Sequence, residues 1–549
     1  MGKRAIIIGG ILLLNLLSYY VYFRWDLTED KRYSVAEATK SLLEGLETPV
    51  EVTVYLEGNN LPGGFERLRR AVKETLGEFR YYAGKNISVR YVDPEKGSNE
   101  EKKTRFADFE KKGILPTNVF DQKGGRKSEI AVFPYAVVKA GGKEDVVLLL
   151  KSNQITSVSP EEKLNRSYEN VEYELASSIQ KLTATDKKNI GLLPEFTSHS
   201  PLEFGGMIES IKDRYNLFII DARASRNFDG LDALIVPAPD KPLDDSTRFK
   251  IDQFVMKGGS VLFFVDGLKV DSVGLEGTYA QPLDVNLDDL LFNYGLRVNK
   301  NIVKDGLNAA VIPVVVGYTG DEPNIQPVVY RYYPLINNFG NSLITKNIGM
   351  VLTKYTSTID TVNAGDGLKK TPLLLTSPHT RVLNAPAFIT YNEARKDTEE
   401  GEYNEGIKAV GYLAEGKFRS LYRNRIAAAG DSLIRESAPA KILVVADGNV
   451  ILNEVNTAKG TFYPLGFDKY FKHMYGNEDF LLNALNYLTD GEGILLSRTK
   501  TVGMRPLDVL KIRDKRTMIQ LLNIVLPLAV LLVFGAGRYL WIRKKYAAL

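Results

Sequence analysis

Gly258–Asp266 reads GGSVLFFVD, and Lys441–Asn449 reads KILVVADGN. Each holds a run of consecutive apolar residues, Val261–Val265 and Ile442–Ala446, that ends at an aspartate. A strand with one wet face alternates polar and apolar residues. A strand that is apolar throughout is buried on both faces. Working back from the first run, Ala233–Val236, Leu217–Ile220 and Asn189–Leu193 (NIGLL) have strand character. Helices fall between them. One starts at Ser200, Pro201 and Glu203, a capping signature, and runs through Met207, Ile208 and Ile211. Another follows Asp244, carries Phe249, Phe254 and Val255, and stops at Gly258-Gly259. Apolar strands alternating with amphipathic helices predict an α/β domain with a doubly wound parallel sheet. The pattern returns at Ile442–Ala446 and in the helix Glu478–Leu488, so the domain spans 187–492 and closes across an intervening segment, about 296–435. That segment reads as a β-rich insertion, with a strand at Leu373–Thr376 and a hairpin over Val410–Leu421 around Glu415-Gly416.

A smaller domain precedes it at 50–155. Val50–Leu56 alternates, Phe65–Tyr82 sets Leu68, Val72, Leu76 and Phe79 on one helical face, and Ile87–Val92 is a second strand. A charged helix over Asn99–Lys111 follows, then a strand pair, Ala136–Lys139 and Val146–Leu150, turned by Gly141-Gly142. This order predicts a thioredoxin-like α/β domain that lacks the redox C-x-x-C, so only the scaffold is shared. A connecting helix within 156–186 is capped at Ser159, with Pro160 and Glu162 in its first turn. Its stripe is Leu164, Tyr168, Val171, Leu175, Ile179 and Leu182.

Both ends are greasy. Ala5–Phe23 carries no charge, and at about 1.5 Å per residue it just crosses a ~30 Å hydrocarbon layer. Lys3 and Arg4 precede it, and Tyr19, Tyr20, Tyr22, Phe23 and Trp25 close it as an aromatic belt. A cleaved signal peptide is the rival reading, but that wants a shorter run and a small-residue cleavage site. Ile519–Gly537 is a second uncharged span. Two spans predict cytoplasmic tails at 1–4 and 538–549 and a periplasmic body, held by a tether and capped helix at 24–49 and a membrane-proximal linker at 493–518. In RWDLTEDKRYSVAEATKSLLEGL (Arg24–Leu46), Ser34 and Glu37 form a capping box, with Val35, Ala38, Leu42 and Leu46 on the apolar face. So short a tether is either an ordinary connector or a device holding the body against a membrane partner.

Chemistry is sparse. The chain of 549 residues has a net charge of +4 and no cysteine, which removes disulfides and thiol catalysis. It shows no basic stripe for nucleic acid and no P-loop, and none of its three histidines, His199, His379 and His473, has metal-ligand spacing. No catalytic, cofactor or metal residues are assigned. In an open parallel sheet, ligands sit beyond the carboxyl ends of the strands. Those ends place His199, Asp266, Asp447 and Asn449 as a candidate ligand or partner cluster. Asp-Gly turn chemistry accounts for the same residues.

The doubly wound outline resembles glutamine-amidotransferase-like domains, whose nucleophile is a cysteine; with none here, a non-catalytic domain is expected. DLTEDKRYSVAEATKSLL (Asp26–Leu43), VTVYLEGNNLPGGFERLRRAVKETLGEF (Val52–Phe79), GNEDFLLNALNYL (Gly476–Leu488) and LNIVLPLAVLLVFG (Leu522–Gly535) together resemble the gliding-motility-associated ABC-transporter auxiliary family, GldG. The resemblance covers nearly the whole chain. It implies an inner-membrane subunit with a large periplasmic body, often labelled substrate-binding, whose second domain is similar to one in an intraflagellar-transport protein. It implies as partners a multi-span ABC permease and a cytoplasmic ABC ATPase. The spans add the lipid bilayer, and small residues at Gly535–Gly537 are compatible with two copies per complex or with ordinary membrane-helix content. A body tethered at both ends is expected to couple permease motion to a periplasmic partner. The alternative is a tethered module that captures a ligand at the strand-end cluster.

Overall fold

The computed structural model describes residues 34–58, 61–123, 126–150, 160–184, 186–364, 367–395, 401–425, 433–490, 493–499 and 515–546. The span expected at 5–23, the tether before Ser34 and the cap at Ser159 lie outside them. The chain forms two units, residues 1–501 and 502–549.

The first unit opens with helix α1 (Glu37–Glu44). The box expected at Ser34 does not set its start. Ala36 is the N-cap and makes no side-chain cap bond. Its N–H instead donates to Glu172 Oε1 at 2.6 Å, so a distant helix supplies the acceptor that a local hydroxyl was expected to provide. Strand β1 (Val50–Val54), helix α2 (Gly63–Ala83), strand β2 (Ile87–Tyr91) and helix α3 (Asn99–Lys111) follow. Helix α3 carries a complete capping box between Ser98 and Glu101. A hairpin unforeseen from sequence, β3 (Thr117–Lys123) and β4 (Arg126–Val132), precedes β5 (Tyr135–Ala140) and β6 (Lys143–Leu148). The sheet runs β2-β1-β5-β6, with β1 parallel to β2 and antiparallel to β5. Leu68, Val72, Leu76 and Phe79 of α2 are fully buried against Val52 and Val54.

Helix α4 (Pro160–Thr183) leads to the larger sheet. There come β7 (Asn189–Leu192), helix α5 (Gly205–Lys212), β8 (Asn216–Ile219), β9 (Ala233–Pro237), helix α6 (Asp245–Met256) and β10 (Ser260–Phe264). Asp244 caps α6, its Oδ1 accepting from Thr247 N at 2.9 Å. The long middle segment contributes β11 (Ala309–Thr319), β12 (Glu322–Ile336), β13 (Asn338–Phe339), β14 (Lys369–Leu375) and β15 (Ala409–Gly416). Strand β16 (Ala440–Val445) and helix α7 (Asn477–Asp490) complete the body.

The eight-stranded sheet has the order β13-β14-β15-β16-β10-β9-β7-β8. From β16 to β8 the pairing is parallel, as the apolar runs predict. The rest corrects the purely parallel expectation. β15 pairs antiparallel with β16, β14 with β15 and β13 with β14. The segment read as an insertion is therefore also structural, since it covers the edge of β16 that a parallel sheet alone would leave open. The hairpin expected over 410–421 is instead one strand inside the sheet, with Glu415 opposite Lys441.

Side-chain alternation explains the apolar runs. Leu262, Phe264, Leu443 and Val445 face the layer of α5 and α7, with Met207, Phe480 and Leu485. Val261, Phe263, Ile442 and Val444 face α6, with Ile251, Phe254 and Val255. Each buried Leu or Phe contributes roughly 1.5–3 kcal/mol relative to exposure.

After α7 the chain turns back. The 3-10 turn Ile494–Thr499 buries Ile494 and Leu495 in the core of the first domain, with Val35, Leu43 and Leu46 from around α1. Polar contacts join the halves: Tyr173 Oη donates to Asn483 Oδ1 at 3.2 Å, and Lys181 pairs with Asp145 at 2.9 Å and Asp213 at 2.7 Å.

The second unit contains helix α8 (Arg516–Tyr546), of which Arg516–Lys544 is long and apolar enough to cross a membrane, with Pro527 inside it. Among the described residues its apolar side chains are exposed, as for Leu531, Leu532, Val533 and Phe534.

Candidate functional site

Three parallel strands deliver their carboxyl ends to one crest. β9 hands over to Ala238, held at φ 42°, β10 leads to Asp266, and β16 leads to Asp447-Gly448. The crest is tight. A Cβ on Gly448 would lie 2.6 Å from Ala238 Cβ and 2.8 Å from Asp266 Oδ2, so only glycine fits. Gly448 N donates to Asp266 Oδ1 at 2.9 Å. Asp447 is fully buried. Its Oδ1 accepts from Asn449 N at 2.8 Å and Asn449 Nδ2 at 3.0 Å, and its Oδ2 accepts from Lys354 N at 2.6 Å.

Asp447 is fully buried and Asp266 partly so, and two such neighbouring carboxyl groups resist ionising together. Burial pushes Asp266 up to about 6, against the Gly448 amide and the His199 ring, which favour its charge. Burial, then the neighbouring Asp266, raise Asp447 well above the usual carboxylate range. Asp266, Asp447 and Asn449 are thus brought together. His199 stands at the rim, close enough to act on Asp266 electrostatically, with its Nδ1 3.0 Å from Glu203 Oε1. Glu203 also closes the Ser200 capping box and sits below the usual range: burial opposes its charge, but the Ser200 amide and His199 outweigh it.

The space beyond these strand ends is occupied by the protein itself. Residues 353–358 cross the crest. Ser357 N and Thr356 Oγ1 both donate to Ala446 O, at 2.9 and 3.1 Å, and Ser357 Oγ donates to Asn301 O at 2.6 Å. A Cβ on Gly267 would meet Asn299 O and Ser357 Oγ, each at 2.4 Å. The crest is a sealed joint between the sheet and the middle segment.

Beside it lies a cleft of about 250 Å³, lined by Asn449 and Lys354 from the crest and by Tyr333, Tyr391, Glu454 and Tyr470. Lys354 Nζ pairs with Glu454 at 3.0 Å and lies 5.7 Å from the Tyr333 ring centroid. Lys469 reaches the same carboxylate at 3.0 Å. Burial disfavours the Glu454 charge, yet the two lysines outweigh it and hold Glu454 below the usual range. Tyr330, Tyr333, Tyr355 and Tyr391 pack edge to face behind this wall, with Tyr332 tilted against Tyr330 and Tyr355. Sequence reasoning reached Asn449 but missed Lys354, Glu454 and the tyrosines. The one signal was the run Tyr330-Arg331-Tyr332-Tyr333. Among the described residues, no three His, Cys, Asp or Glu side chains are placed to hold a metal ion.

Comparison with known proteins gives this architecture a context. A family described as an ABC-type uncharacterized transport system matches residues 187–484, and a domain of unknown function, DUF7088, matches 29–139. An uncharacterized protein of Borreliella burgdorferi is 23% identical over 420 residues, covering 73% of this chain and 74% of that protein. A solved structure of the mmIFT52 N-terminal domain superposes with a TM-score of 0.30 at 12% identity, covering 56% of this chain and 99% of that one. The first family match alone takes in more than half of the 549 residues, including the crest and the whole eight-stranded sheet. The chain therefore belongs to that family, ABC_transp_aux, the ABC-type uncharacterized transport system, and has an auxiliary role in ABC transport.

Proposed function

We propose that the chain is a membrane-anchored auxiliary subunit of an ABC transporter of the gliding-motility-associated, GldG-like kind. Its body lies in the periplasm and both termini lie in the cytoplasm. It couples motion of a multi-span permease, driven by a cytoplasmic ATPase, to a periplasmic partner. The body has a thioredoxin-like half and an amidotransferase-like half, and neither is catalytic in this reading. The observation that carries it is the return of Ile494–Thr499 to α1. The chain enters the body at α1 and leaves it beside α1, so motion delivered through either membrane segment arrives at one place in the first domain. The self-sealed crest favours this coupling role over ligand capture at Asp266 and Asp447.

The test is a mild-detergent pull-down of the tagged full-length chain from native membranes, with residues 34–499 as control. Recovery of a permease and an ABC ATPase with the full-length chain only is the expected result. Their absence from both samples overturns the reading.

A further inference from the structure

The cleft beside the crest has a wall made of main chain. Strand β11 has one sheet neighbour, β12, so its other edge is open, and its residues Ala310–Pro313 line the cleft. The register decides which groups that edge presents. Pro313 lies opposite Pro327, and the pairing is regular from Val311 to Val315. Two prolines have no N–H to exchange, so theirs is a pair whose backbone groups point away from the partner strand. By alternation, the backbone groups of Val311 and Val315 point the same way as those of Pro313, out of the sheet. Arg395 Nη2 confirms the direction by donating to Val315 O from outside the ladder at 2.8 Å. This leaves Val311 N–H, Val311 C=O and Pro313 C=O at main-chain spacing along the cleft. Among the described residues none is bonded to them.

The facing groups add a charge preference. Lys354 in the lining and Lys469, between the lining residues Asp468 and Tyr470, converge on one carboxylate, Glu454. Asp468, the other acid in the cleft, is turned to its own loop, accepting from Tyr470 N at 2.8 Å and Phe471 N at 3.1 Å. Tyr470 stands 62% exposed at the mouth.

We propose that this cleft binds an extended peptide segment of a partner protein. The segment adds as a short strand to the open edge of β11, with an acidic side chain toward Lys354 and Lys469 and an apolar or aromatic one against Tyr470. An open strand edge is matched by main-chain donors and acceptors at strand spacing, and side-chain pockets set the choice of sequence. The inference rests on the reading of the body as an element that couples to a periplasmic partner, and it names where that partner docks.

The test uses the full-length chain in detergent and blocked hexapeptides of alternating valine and tyrosine, with a central aspartate or lysine, measured by calorimetry. The aspartate peptide should bind at least tenfold more tightly than the lysine peptide. Val311→Pro removes the outward N–H that lines the cleft, at a position equivalent to that where Pro313 is already accommodated. It should weaken binding about tenfold with the melting temperature unchanged. Lys469→Met should erase the aspartate preference. Equal affinity for Val311→Pro and wild type overturns strand addition, and no binding of either peptide overturns the site. Neither result touches the pull-down, so failure of the cleft and failure of the transporter reading are distinguishable.

Discussion

Gly448 and Asp266 show how little slack the crest has. A methyl group at 448 would press into Ala238, which already holds a left-handed backbone at φ 42°. Gly448→Ala should therefore destabilise the protein by about 1–3 kcal/mol, the usual cost of overpacking, read as a lower midpoint in thermal melts. Asp266 makes a pH prediction whose sign follows from its raised value of about 6. The folded state keeps this proton up to about pH 6, while the unfolded chain releases it near ~3.9. The contribution of Asp266 to stability is thus fullest below about pH 4 and is lost as pH rises toward about 6, and Asp447 contributes in the same direction. Asp266→Asn keeps an acceptor for the Gly448 amide and should flatten the melting temperature across that interval. An unchanged slope would show that the acid pair does not govern it. The aspartates were legible at strand ends, but Lys354, the partner of Asp447, was not, because it lies 93 positions away and touches Asp447 through a backbone N–H. Asn477, the first residue of α7, likewise acts at a distance: its side chain ties Leu352 N and O and Val450 O to the start of the helix.

Among elements, those that follow a local rule were readable. The charged helix α3, the helix start after Asp244, the apolar β9, β10 and β16, and the α2 stripe all rest on neighbours a few residues apart. What failed depended on remote pairing. β15 looks like half of a hairpin because Glu415-Gly416 is good turn chemistry, and only its partners on both sides, β14 and β16, make it an interior strand. The turn Ile494–Thr499 has no periodicity long enough to announce itself. Its importance lies in Leu495, fully buried in the first domain. Leu495→Ala should cost about 2–5 kcal/mol, as for other buried leucines, and should open the chain near Thr499 to limited proteolysis. A cost below 1 kcal/mol would mean that the turn is merely adjacent to α1 and does not hold it.

For the whole molecule, the proposed coupling role makes tether length the sensitive variable. A flexible Gly/Ser insert of about 20 residues ahead of Ser34 adds a reach of roughly 25 Å and relaxes whatever orientation the membrane side imposes. Such an insert should leave the melting temperature of the body unchanged and impair transporter-dependent function in cells. Full activity with inserts at both ends would remove the coupling role and leave a passive anchor. The convergence of α1 and Ile494–Thr499 has a further mechanical consequence. An object fastened at two separated points keeps one axis of rotation, whereas one fastened at two coincident points keeps all three. In the proposed coupling role, the tethers alone would leave the angle of the larger half to the bilayer free, to be set by the partner it binds. Two moorings on one cleat hold the vessel in place without fixing its heading.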